Sequence, residues 1–123
     1  MSSPLKTLIA VETDARAFGF DWPNVEMILE QAISECAEIR DAIAHSEPPV
    51  RLQEEIGDLL HTAISLCLFA GFDVEDTLNN VSAKFARRMA EIKKLTYSKG
   101  LPNLQGQSMD YMLTLWKAVK AAE

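Results

Sequence analysis

Two amphipathic segments, residues 25–44 and 50–70, are separated by the short stretch HSEPP at 45–49. In both segments apolar residues recur every three or four positions, which is the period of one face of an α-helix. Two consecutive prolines stop a helix, because proline lacks the backbone N–H and disfavours helical backbone in the residue before it. The sequence therefore predicts an antiparallel helix hairpin whose turn lies at 45–49.

Three further helices are predicted on either side of this hairpin. One covers about 5–18 and ends at Gly19, one runs from the N-cap Asp73 to about 97, and a short one begins at Ser108 or Asp110. No segment has the alternation of apolar and polar residues that predicts a strand. We expect an all-α bundle of about five helices, and a chain of 123 residues suits one domain spanning 1–123.

The charge balance limits the kinds of partner. Acidic residues outnumber basic ones, and the formal net charge is -6. Nucleic acids and anionic membranes are bound by basic surfaces, so neither is expected as a partner. No apolar run reaches the roughly 20 residues that span a bilayer, and Glu12 and Asp14 interrupt the stretch where a signal peptide would continue. We therefore expect a cytoplasmic protein, with Cys36 and Cys67 as buried free thiols on apolar helical stripes.

Four acidic residues should meet in the predicted hairpin. In an antiparallel hairpin, two residues stand at the same height when their numbers add up to the same total as those of another facing pair. Residues 35 and 58 give the same total as 38 and 55, so each of these pairs is level. Glu35, Glu38, Glu55 and Asp58 would then converge as two i, i+3 pairs, and carboxylate oxygens are the ligands of hard divalent cations such as Mg²⁺. The alternative is a solvated acidic face. Such faces usually carry Lys or Arg one turn away, and here only Glu55 has one, Arg51.

A glycine interrupts the third predicted helix beside one of these acids. Glycine within a helix costs about 1 kcal/mol relative to alanine. Gly57 precedes Asp58 directly. We expect Gly57 to make room for another backbone segment or for a ligand.

The fourth predicted helix carries a basic cluster in AKFARRM, residues 83–89. Lys84 and Arg88 share one face and Arg87 is adjacent, while Phe85 and Met89 are expected to point to the core. A solvated basic face is the commoner explanation of such a pattern. The functional alternative is a phosphate clamp, because lysine supplies a point charge and arginine a bidentate fork.

Three other side chains have both a structural and a functional explanation. Trp116 would stack on a nucleobase or pack in a core or subunit interface. Trp22 is expected to anchor the start of the second helix. His61 lies one turn beyond Asp58 and would either support a metal site or lie on the surface.

Taken together, these segments resemble the MazG-type nucleoside triphosphate pyrophosphohydrolases, within the all-α superfamily that also includes dimeric dUTPases. The resemblance is carried by GFDWPNVEMILEQAISECAEI at 19–39, EEIGDLLHTAISLCLFAGFD at 54–73, AKFARRM and LTLWKAVK at 113–120. The family's acidic signature is matched at the four acids named above. Two positions depart from it: Ser34 stands where the family has its first glutamate, and Ser82 where an asparagine is usual.

The resemblance implies a Mg²⁺-dependent enzyme, with Mn²⁺ as a substitute metal, that acts as a homodimer or a higher homo-oligomer. Its substrate would be an NTP or dNTP, canonical or not, cleaved at the α–β phosphate bond to the monophosphate and pyrophosphate. The metal ligands would be Glu35, Glu38, Glu55 and Asp58. The catalytic residues would be Glu38, Lys84 and Arg88, and the nucleotide contacts would come from Arg51, Glu54, Lys84, Arg87, Arg88 and Trp116. The competing hypothesis is a helical dimerisation or nucleotide-binding module without turnover.

Overall fold

The computed structural model describes residues 3–123. Five α-helices and no strand occur in this part of the chain, so the all-α prediction is confirmed. Two compact units are formed: the first extends to Val74, and the second comprises Glu75–Glu123. The helices are α1 (Pro4–Phe18), α2 (Val25–Ala44), α3 (Pro49–Phe69), α4 (Val74–Ser98) and α5 (Met109–Ala121).

Local capping defines the helices of the first unit. The Ser3 hydroxyl accepts a hydrogen bond from the Lys6 backbone N–H at 3.2 Å, and α1 ends at Gly19 with φ 108°, a left-handed conformation that favours glycine. The Asn24 side chain caps α2 by accepting from the Met27 N–H at 3.0 Å. The predicted boundaries of these helices are therefore close to those observed.

The predicted hairpin is present, with α2 packed along α3 and α1 also in contact with α3. The backbone N–H of Glu47 donates to the Ala42 carbonyl at 3.0 Å, which closes the turn, and α3 starts at Pro49. Inside the unit the buried side chains include Ile28 and Ala42, but also several polar groups. These buried polar residues are Glu35, Glu55, Thr62 and Ser65.

Several apolar residues on the hairpin are more exposed than the amphipathic pattern predicts. Ile33 is 71% exposed and Leu60 is 62% exposed. Cys36 is exposed and Cys67 is half-buried, so the prediction of two buried thiols is wrong. The physical reason is that no other described residue of this unit covers the outer parts of the apolar stripes.

The second unit has its own small core on α4 and α5. Ile92, Leu115 and Val119 are buried together, and Met89 and Trp116 are among the side chains packed against them. The Ser108 hydroxyl caps α5 by accepting from the Tyr111 N–H at 3.1 Å, as predicted. Phe85 is 56% exposed, so the expectation that it points to the core is wrong.

No single helix within residues 3–123 is long and apolar enough to cross a membrane. The consecutive helices α3 and α4 reach the required length and hydropathy only as a bent pair.

Candidate metal and nucleotide site

The α2–α3 hairpin brings four carboxylates together. One oxygen from each of Glu35, Glu38, Glu55 and Asp58 lies within 4.8 Å of the others. Glu35 and Glu55 are buried, whereas Glu38 and Asp58 are exposed. The convergence predicted from the hairpin register is thus present. One side of the cluster is fixed inside the unit and the other is open to solvent.

The closeness of the acids changes the protonation of one of them. The pKa of Glu38 is raised to about 7, first because its carboxyl shares a hydrogen bond with Glu55 and then because of the negative charge on Glu35. A carboxyl group close to other carboxylates holds its proton more tightly, since the charged form is disfavoured. A cation placed among these oxygens would relieve this repulsion.

The residues present fit a divalent cation. Oε2 of Glu35 and Oε2 of Glu55 are buried and have no hydrogen-bond partner within residues 3–123. Buried polar atoms without partners are rare because they forfeit the hydrogen bonds of water. An all-carboxylate set of ligands suits a hard cation that prefers oxygen. The cluster could therefore bind a metal ion, and its unpartnered oxygens are accounted for if it does.

Neighbouring side chains hold the two buried acids in place. The Gln31 amide donates a hydrogen bond to Oε1 of Glu35. Nη2 of Arg51 lies 3.3 Å from Oε1 of Glu55, and the same guanidinium lies 3.4 Å from Glu54. Both Arg51 and Glu54 are largely exposed, and these two predicted nucleotide contacts form an ion pair with each other at the edge of the cluster.

Gly57 does not make room for another part of this chain. A Cβ atom built at this position meets no atom within 4 Å among the described residues. A backbone segment of the described part of this chain is therefore not the expected occupant. The space beside Asp58 is open, so a ligand or a backbone segment of another copy remains as the candidate occupant.

A cavity of about 550 Å³ adjoins the acids, and sequence reasoning missed it. Its walls come from α1, the segment 19–23, α2 and α3, and two of the clustered acids, Glu35 and Asp58, line it. Trp22, expected to anchor the start of α2, lines this cavity, as does His61. The available signal was Glu12 and Arg16, two charged residues one turn apart on the face of α1 that packs into the unit.

A polar network lies in the wall of this cavity. The Ser65 hydroxyl donates to Oε1 of Glu12, and Nη2 of Arg16 donates to the Ser65 carbonyl oxygen at 2.9 Å. Nη1 of Arg16 lies 3.5 Å from Asp21, and Nε2 of His61 lies 3.5 Å from Oε1 of Glu12. The network ties α1 to α3 across about 50 residues of sequence, which is why local patterns did not reveal it.

In the second unit the predicted basic cluster already holds an anion, the side chain of Glu123. Nε of Arg88 lies 2.7 Å from Oε1 and Nη2 lies 3.0 Å from Oε2, a bidentate pair. The pKa of Glu123 is lowered, first by this hydrogen bonding and then also by the charges of Arg87 and Lys84. The guanidinium of Arg88 lies 5.3 Å from the centre of the Trp116 ring. Three of the predicted nucleotide contacts, Lys84, Arg87 and Arg88, therefore act on one carboxylate, and the fourth, Trp116, lies against the Arg88 guanidinium.

Comparison with known proteins places these features in a family. The model of the MazG nucleotide pyrophosphohydrolase domain matches residues 24–92, which include all four clustered acids and the basic cluster. A nucleoside triphosphate pyrophosphohydrolase of Escherichia coli (strain K12) is 31% identical over 109 residues, covering 85% of this chain and 40% of that protein. A nucleoside triphosphate pyrophosphohydrolase/pyrophosphatase MazG of Thermotoga maritima is 28% identical over 113 residues, covering 92% and 42%.

The chain thus corresponds to about two-fifths of the length of these relatives. The family match spans more than half of its residues and includes the hairpin on which the acidic cluster is built. The chain belongs to the MazG nucleotide pyrophosphohydrolase domain family.

Proposed function

We propose that this protein hydrolyses nucleoside triphosphates, NTP or dNTP and including non-canonical ones, between the α and β phosphorus atoms. The products are the nucleoside monophosphate and pyrophosphate. The observation that carries the proposal is the convergence of four carboxylates, two of them with buried oxygens that lack partners within residues 3–123. The names of the relatives support the same substrate class.

We assign Mg²⁺ to the acidic cluster, with Mn²⁺ as a substitute, because octahedral Mg²⁺ commonly joins carboxylates to substrate phosphates. Glu35, Glu38, Glu55 and Asp58 would hold it. When bound, the ion would polarise phosphate oxygens and make a nearby water more acidic. The two buried acids form the rigid side of the site, and the two exposed acids face the solvent from which substrate arrives.

Glu38 is proposed to accept the proton of the attacking water. Its carboxyl is exposed, and its pKa in the metal-free cluster is raised to about 7. A bound cation favours the charged carboxylate, which is the form that accepts a proton. Once protonated, Glu38 would donate a hydrogen bond to Glu55, and this bond would stabilise the transferred proton.

Lys84, Arg87 and Arg88 are proposed to bind the phosphates and to stabilise the negative charge that develops on the leaving pyrophosphate. Their combined effect on the Glu123 carboxyl supports this role, because the same field that lowers the pKa of a carboxyl favours phosphate oxygens. Arg88 would exchange Glu123 for a phosphate. Trp116 remains a proposed nucleotide contact whose ring also supports the Arg88 guanidinium.

Arg51 and Glu54 are proposed as further nucleotide contacts at the edge of the acidic cluster. The exposed Arg51 guanidinium is shared among Glu47, Glu54 and Glu55, at 3.6, 3.4 and 3.3 Å. A phosphate could draw it away from Glu47 and Glu54 at small cost, since exposed ion pairs contribute little.

We further propose that residues 1–123 act as one domain and that the protein is a homodimer. The exposed apolar residues of the hairpin, Ile33 and Leu60, support an assembly that covers them. Because the proposed substrates are nucleotides of the cell interior, we expect the protein to act in the cytoplasm, without nucleic acid or membrane as a partner.

The proposal is tested by product analysis. The purified protein is incubated with a panel of canonical and modified NTPs and dNTPs, with Mg²⁺ or with EDTA, and the products are separated by ion-exchange chromatography. The expected result is monophosphate and pyrophosphate in equal amounts, formed only with Mg²⁺. Diphosphate and inorganic phosphate, or no product from a folded protein, would contradict the proposed reaction.

A further inference from the structure

We propose that the cavity formed by α1, segment 19–23, α2 and α3 holds the nucleobase of the substrate, and that Glu12 and Arg16 recognise the hydrogen-bonding edge of that base. This inference rests on the proposed function for its substrate class. It assigns a binding role to α1, which lies outside the residues matched by the family model, 24–92.

The size and walls of the cavity suit a planar ring. Its volume of about 550 Å³ falls within the roughly 300–1,000 Å³ usual for sites of small molecules. Phe20, Trp22 and Met27 line it from the segment before α2 and from α2 itself, and Leu8 and Val11 line it from α1. Aromatic and apolar side chains of this kind stack on the faces of nucleobases without dependence on sequence or base.

The charge of the lining favours a base over a phosphate. The acidic residues Glu12, Asp21, Glu35 and Asp58 line the cavity. Arg16 is the lining residue whose side chain is always positively charged. A phosphate group would be repelled by this excess of carboxylates, whereas an uncharged base would not. Since Glu35 and Asp58 belong to the acidic cluster, a nucleotide with its base in the cavity would direct its phosphates toward the proposed metal.

Two buried atoms in the cavity wall lack partners and can specify the base. Oε2 of Glu12 is a hydrogen-bond acceptor, Nε of Arg16 is a donor, and neither has a hydrogen-bond partner in the described part of the chain. The Glu12 side chain is only 10% exposed, and its Oε1 already accepts from Ser65. The edge of a nucleobase presents N–H donors next to acceptors, so it would satisfy both atoms and exclude bases with the wrong pattern.

The test uses nucleotide analogues that bind but are not cleaved. Binding of the α,β-methylene triphosphates of adenosine, guanosine, cytidine and uridine is measured by titration calorimetry with Mg²⁺, for the wild type and for Glu12→Gln. The matched control is Glu30→Gln, an exposed position on α2 that does not line the cavity. We expect unequal affinities in the wild type and in the control, and a change of about tenfold or more in the ratio between preferred and disfavoured bases in Glu12→Gln.

A second variant guards against misfolding of the first. Ala15→Phe places a ring in the cavity from α1. It is expected to weaken all four analogues by about tenfold or more while leaving Mn²⁺ binding, measured without nucleotide, unchanged. Circular dichroism melting curves establish that each variant is folded.

The outcomes separate this inference from the proposed function. If the wild type hydrolyses triphosphates but neither variant alters binding, or Glu12→Gln shifts all four analogues equally, the base assignment is overturned and the proposed function stands. If the wild type binds analogues selectively, Glu12→Gln changes this selectivity, Ala15→Phe weakens all four analogues and no hydrolysis occurs, the assignment stands and the proposed function fails. Absence of analogue binding by the wild type also overturns the assignment.

Discussion

Among single residues, Glu38 shows most directly how the hairpin changes the chemistry of a side chain. On its own helix Glu38 is an exposed glutamate, and the sequence explains only its spacing from Glu35. Folding adds Glu55 as a hydrogen-bond partner, and the pKa rises to about 7 as a result. The position of Glu38 could be predicted from the hairpin register. Its raised pKa and the leading role of Glu55 could be seen only in the folded arrangement.

The raised pKa predicts how the metal-free protein responds to pH. Because the folded state holds the Glu38 proton more tightly than the unfolded state, this residue contributes stability that is fully present below its ordinary pKa of 4.5 and is lost as the pH rises through about 7. Without metal, Glu38→Gln should therefore lose less melting temperature than the wild type between pH 4.5 and 8. Equal losses of melting temperature over this pH range in EDTA for Glu38→Gln and the wild type would contradict this account. The control Glu30→Gln should behave like the wild type.

Glu123 is predicted to compete with phosphate for Arg88. Its carboxylate occupies both arms of the guanidinium, at 2.7 and 3.0 Å. Glu123→Gln removes the charge and should raise the affinity for inorganic pyrophosphate by up to about fivefold, since partly exposed ion pairs contribute modestly. The measurement is titration calorimetry with pyrophosphate, with the exposed Glu91→Gln on α4 as the matched control. Weaker binding by Glu123→Gln would show that this carboxylate supports the site instead.

At the level of helices, the period of apolar residues and the capping residues were enough to predict all five elements. Ser108, one of the two residues expected to start the last helix, caps α5, and Asn24 caps α2. The cavity was not predictable in this way, because Glu12 meets Ser65 across 53 positions and Arg16 meets the same residue across 49. The burial of Cys36 was overestimated for a related reason. An apolar stripe indicates that a helix face is covered, but it does not show which chain covers it.

Gly57 provides a prediction for α3. Its backbone is helical, and an added methyl group would meet nothing in the described chain. Gly57→Ala should therefore raise the free energy of unfolding by roughly 0.4–1 kcal/mol, because alanine loses less backbone entropy on folding. Chemical denaturation measures this directly. A lower stability would mean that something in the native assembly occupies the space beside Asp58.

For the whole molecule, the exposed apolar side chains of the hairpin predict self-association. Ile33 and Leu60 stand at the same height in the hairpin register and are 71% and 62% exposed. Ile33→Glu combined with Leu60→Glu should convert the predicted homodimer to monomers in analytical ultracentrifugation. Met109→Glu, which changes an equally exposed residue on α5, should leave the assembly intact. A wild-type protein that sediments as a monomer would contradict the proposal.

The central claim is that the carboxylates of α2 and α3 form a metal site that supports triphosphate hydrolysis. The most direct measurement is the rate of pyrophosphate release as Mg²⁺ is varied, for the wild type, Asp58→Asn and the control Asp14→Asn, which lies on α1 outside the cluster. We predict saturable dependence on Mg²⁺ in the wild type and the control, and a loss of about 100-fold or more in Asp58→Asn without loss of fold. Equal rates in Asp58→Asn and the wild type would contradict the claim.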